Sequence, residues 1–106
     1  MSTNDQDRWE RLAAALAMAG VEAQVSTTSY SQVHHGRVEH GVRRSIFIRN
    51  ATNHLVEIAD RYGRGGKWYG WAVYRSDEHD LIVSSHSNLI KRSEVVTAVL
   101  DEMSAR

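Results

Sequence analysis

The chain contains no cysteine. That removes disulfide scaffolds, thiolate zinc sites and cysteine nucleophiles. It also fits a reducing compartment, so a cytoplasmic protein is expected. Proline is absent as well, and no internal repeat or low-complexity linker divides the 106 residues. A single domain over 1–106 is therefore expected. No apolar run approaches the roughly 18 residues of a membrane span, so no membrane partner is expected. The opening segment MSTNDQDRWE is polar and acidic, unlike a signal peptide. Asn50-Ala51-Thr52 matches a glycosylation triplet. Without a secretion signal it is read as coincidence. Neither sign of charge is in excess, with 13 basic and 13 acidic residues. Whole-chain charge thus gives no pointer to a nucleic-acid partner.

What is present is a globular composition, 42% hydrophobic and 25% charged, which argues against disorder. The charge is unevenly placed. Residues 34–75 hold eight basic residues against three acidic ones, and both flanks are acidic.

The periodicity predicts a helix over 5–19, with Trp9, Leu12, Ala13 and Leu16 at spacings of three and four. Gly20 can end it in the left-handed conformation. Alternation over 21–29 (Val21, Ala23, Val25) predicts a strand. Residues 31–41 are polar with two glycines and read as a loop. A second strand is predicted over 43–49, around Ile46, Phe47 and Ile48. Residues 54–61 fit either a strand or a short helix, and strand is favoured. GRGG at 63–66 is a turn, and KWYGWAVYR at 67–75 is the clearest strand. DLIVSS at 80–85 is the next. A last helix over 93–104 would be capped by Ser93, with Val95, Val96, Val99, Leu100 and Met103 buried. The fold class predicted is α+β: an antiparallel four- to five-stranded meander over 21–85, with an N-terminal and a C-terminal helix packed on one face.

The strand 67–75 carries the most functional content. Strict alternation places Trp68, Gly70, Ala72 and Tyr74 on one face and Tyr69, Trp71 and Val73 on the other. The small residues of the first face suit a helix packed close. Tyr69, Trp71 and Val73 would then form an aromatic patch away from the helices, a candidate interface. The bland alternative is a central strand buried on both faces. A second arrangement combines cations with aromatics: Arg43, Arg44, Arg49, Arg64, Lys67 and Trp68. Phosphate contacts and base stacking by such a set would serve single-stranded nucleic acid.

Other motifs carry less. GRGGK at 63–67 lacks the glycine spacing and following helix of a phosphate loop. His34, His35, His40 and Glu39 lie in a predicted loop without the helical spacing of a zinc site. Asp80, Ser84, Ser85 and His86 supply triad residue types, but adjacent strand residues such as Ser85 and His86 point to opposite faces. No catalytic residue, metal site or cofactor is assigned, and no enzymatic activity is expected.

The order LAAALAMAGVEAQVS, IFIRN, GGKWYGWAVY resembles small α+β proteins of actinobacteria and their phages over most of the chain. The resemblance rests on layout and a tryptophan-rich hairpin. It implies a bacterial or phage cytoplasmic origin and transfers no activity or site residue. The expected function is a non-enzymatic protein-interaction module that uses the aromatic sheet face or an open sheet edge, with a second copy of the chain as one candidate partner. Single-stranded nucleic-acid binding over 43–75 is the alternative.

Overall fold

The computed structural model describes residues 3–63, 65 and 67–104. The elements run α1 (Thr3–Met18), β1 (Val25–His34), β2 (Arg37–Arg49), β3 (Leu55–Tyr62), β4 (Trp68–Ser76), β5 (Ile82–Leu89) and α2 (Arg92–Met103). The strands form one antiparallel sheet whose order follows the sequence. This is the α+β meander with flanking helices that the patterning predicts.

Both helices cover the same face. Trp9, Leu12 and Leu16 of α1 and Val95, Ala98 and Val99 of α2 pack on Ile46, Val56, Ile58, Trp71 and Val73 of the sheet. α1 ends as Gly20 turns to φ +89, and Val21 N–H donates to Leu16 O at 2.8 Å. That closes the helix with the Schellman bond and delivers Val21 to the core. At the other end, Ser93 is not the cap of α2. The turn starts at Lys91, and the Glu94 carboxylate reaches back to accept from Lys91 N–H at 2.9 Å and Ile90 N–H at 3.2 Å. A carboxylate there also complements the helix dipole.

Several boundaries differ from the sequence reading. Residues 21–24 are not strand, although Val21 and Ala23 face the core. Residues 31–41 are not a loop. They are the continuation of β1 and β2 around a two-residue turn, His35-Gly36, with φ of 51° and 75°. Two successive positive φ values match the right-handed twist of a hairpin. The arm escapes pattern recognition because both its faces meet water. Residues 26–33 are exposed, as are 37–43 apart from half-buried Gly41. The ambiguous stretch at 54–61 is strand, and β5 continues to Leu89, which turns inward after a left-handed Asn88 at φ 61°.

Asn50 joins the sheet to α2. It is 6% exposed, and its Nδ2 donates to Glu102 O at 3.1 Å. Its Oδ1 accepts from Thr52 N–H, Thr52 Oγ1 and His54 N–H at 2.8 to 3.0 Å. The amide that a glycan would need is thus committed inside the protein. Next to it, buried Glu102 receives Arg75 Nε at 3.4 Å.

Candidate functional site on the helix-free sheet face

The face opposite the helices is set by one irregularity in β4. Arg61 of β3 lies opposite Gly70, whereas Tyr62 lies opposite Trp68, so Tyr69 is an extra residue. Gly70 has φ +135°, and a Cβ there would stand 3.0 Å from Leu89 O. The site therefore demands glycine, and the bulge reverses the alternation of everything after it. Trp68 and Trp71, three residues apart, come to the same side and meet edge to face at 5.6 Å. Trp71 also meets Trp9 edge to face at 4.8 Å.

This corrects the proposed aromatic patch. Trp71 is 1% exposed and Val73 fully buried, both beneath the helices. Tyr69, 39% exposed, belongs to the other side, where Arg61 Nη2 donates to its hydroxyl at 3.3 Å. Tyr69, Trp71 and Val73 do not share a face.

Following the register outward gives what the helix-free face does carry. One row crosses four strands: Phe47 of β2, Glu57 of β3, Tyr74 of β4 and Ser85 of β5. Beside it, Ser45, Ala59 and Ala72 form a low floor. Arg43, Arg49 and Arg61 stand around the row by the same alternation. Arg43 lies over the Tyr30 ring at 5.2 Å, and Arg61 lies over Tyr69 at 5.6 Å. Phe47 is 47% exposed. Glu57 sits between Phe47 and Tyr74, and burial raises its pKa, with Arg43 opposing the shift. A cationic and aromatic surface with one carboxyl at its centre results.

The nucleic-acid set is only partly brought together. Arg43 and Arg49 reach the helix-free face. Arg44 turns to the helix side, where its Nε donates to Gln6 Oε1 at 3.1 Å. Trp68 is also on that side, with Arg8 stacked on it at 4.2 Å. Its indole N–H is buried and has no hydrogen-bond partner among the described residues. Lys67 lies in the turn closed by its own O and Gly63 N–H at 2.8 Å, and Arg64 lies outside the described residues. Ser85 and His86 do point to opposite faces: Ser85 is opposite Tyr74, His86 opposite Val73. His40 Nδ1 lies 2.9 Å from Ser31 Oγ across the arm.

Sequence reasoning missed Tyr30, Phe47, Glu57, Arg61 and Tyr74. Phe47 was legible in principle. It stands between Ile46 and Ile48, so one of the three had to face away from the core. Tyr30 falls between the predicted strand 21–29 and the predicted loop 31–41, so the pattern gives it no face.

A search of family models, curated proteins and solved structures finds no match to the chain. None of the helices among the described residues is long and apolar enough to cross a membrane.

Proposed function

We propose that this protein is a non-enzymatic interaction module that uses its helix-free sheet face to hold a protein partner. The observation behind this reading is the row Phe47–Glu57–Tyr74, an aromatic pair flanking a carboxyl on a face that no described element covers. Aromatic and arginine side chains dominate interface energetics, and a rigid sheet presents them with little ordering cost. The surrounding Arg43, Arg49 and Arg61 favour an acidic partner surface.

The test compares proteins retained by the wild-type chain with those retained by Phe47→Ser/Tyr74→Ser. A genuine partner binds roughly tenfold or more weakly to the double variant while its circular dichroism stays native. Equal retention by both chains overturns the reading.

The arginine–tyrosine pairs favour a second reading, single-stranded nucleic acid stacked on the same face. Labelled oligonucleotides at low ionic strength check it. Affinity that falls steeply with salt supports it, and no binding at low salt removes it.

A further inference from the structure

Among the described residues, both backbone edges of the β1–β2 arm lack a neighbour: the outer edge of β1, and the far edge of β2 over residues 37–44. Residues 45–49 of β2 pair with 55–59 of β3, and the ladder stops there. Among the described residues, nothing pairs with the other edge of residues 37–44. The strands part around a cleft of about 570 Å³, lined by Tyr30, Arg43, Arg44, Glu57, Asp60 and Tyr62 among others.

Such an edge invites another strand. Natural edges are blunted by proline, bulges or charged side chains, lysine above all. This stretch of β2 has neither proline nor lysine; its charges, Arg37, Glu39, Arg43 and Arg44, carry both signs and can pair across an interface, and its register with β1 runs unbroken from Val25↔Ile46 to His34↔Arg37. The β5 edge, by contrast, carries two register shifts against β4. A two-stranded arm exposed on both faces is marginal by itself in water. A third strand along its length would stabilise it.

We infer that the occupant is a second copy of this chain, joined β2 to β2 about a two-fold axis through Gly41. Antiparallel self-pairing places each residue a given number before Gly41 opposite the residue the same number after it in the other copy. Glu39 then lies opposite Arg43, twice by symmetry. Both side chains belong to the helix-free face, as alternation from Gly41 requires. Slipping the centre by one to His40 puts Arg37 opposite Arg43, and slipping by two sets Glu39 against itself. Slipping the other way to Val42 sets Glu39 opposite Ser45 and leaves no opposite-charge pair, so charge selects the Gly41 register among its neighbours. The outward edge of β1 offers no such selection, since residues 25–33 are uncharged.

Gly41 suits the axis for a second reason. The Tyr30 ring lies over it, in the space a Cβ would occupy. The two Tyr30 rings would close together over the dyad, each with Arg43 of its own chain above it. The two helix-free faces would merge into one ten-stranded surface. This interface is a strand edge; it shares Arg43 with the face assigned to the outside partner but leaves the Phe47–Glu57–Tyr74 row outside it.

Sedimentation of the full chain over a range of concentrations tests the inference. The wild type should be a dimer. Arg43→Glu and Glu39→Arg should each weaken it roughly tenfold, since two opposite-charge pairs become like-charge pairs. The double variant Glu39→Arg/Arg43→Glu restores the pairing and should restore the dimer. That recovery distinguishes a broken interface from a damaged fold. A wild-type monomer at high concentration overturns the inference. So does a dimer indifferent to both single changes, or a failure of the double variant to recover. Phe47→Ser/Tyr74→Ser should remain dimeric, so loss of the outside partner and loss of the dimer read separately.

Discussion

The indole N–H of Trp9 donates to Asp60 Oδ2 at 3.0 Å, tying the first helix to a strand 51 residues away. Tyr62 donates its hydroxyl to the same oxygen at 3.0 Å. Burial raises the Asp60 pKa, and these two hydrogen bonds oppose the rise. A carboxyl held above its ordinary range binds its proton more tightly in the folded chain than in the unfolded one. The stability this confers is full below about pH 4 and is lost as pH rises through the raised value. Asp60→Asn keeps an acceptor and cannot ionise. Its unfolding free energy relative to wild type should therefore climb as pH rises through that window. Urea titrations at a series of pH values would show this, and a constant difference would contradict it.

The bulge in β4 makes opposite predictions for neighbouring aromatics. Trp71→Ala should cost about 3–5 kcal/mol, because it empties the core between Trp9 and Trp68. Tyr69→Ala should cost under about 1 kcal/mol, as an exposed change away from that core. Gly70→Ala should cost more than about 1 kcal/mol, because its φ is closed to side chains and Leu89 O blocks the Cβ. Denaturant midpoints of the three variants decide the matter. Similar losses at Tyr69 and Trp71 would contradict the described face assignment.

Asn50 should behave as a fold determinant. Asn50→Ala leaves Glu102 O and the turn N–H groups of Thr52 and His54 without their partner, a loss of about 1–3 kcal/mol. Asn50→Asp keeps the three acceptor contacts but sets a carboxylate oxygen against Glu102 O, and should also destabilise. Thermal unfolding of both variants checks this. A neutral Asn50→Ala would show that solvent replaces the amide.

The helices and the meander were legible because burial on one side writes a period into the sequence. Trp9, Leu12 and Leu16 recur at helical spacing, and Val95 and Val99 do the same at the other end. The arm was not legible, since Ser29, Ser31, Gln32 and Glu39 have no buried side to alternate with. Its one local signal was His35-Gly36 between Val33 and Val38. The face of Trp71 is not legible for a different reason. Gly70 reads as a small strand residue, and only its positive φ and the closeness of Leu89 O reveal a bulge. The row Phe47–Glu57–Tyr74 depends on register between strands, which no single segment encodes.

Sheet order that repeats chain order has a consequence for assembly. Each strand meets a neighbour in sequence, so every hairpin closes a short loop at small entropic cost. The helices that touch above them come from opposite ends of the chain. Their meeting spans nearly its whole length, the slow kind of contact. The meander can therefore form ahead of its roof, and Trp9 reaches Trp71 only when the roof closes.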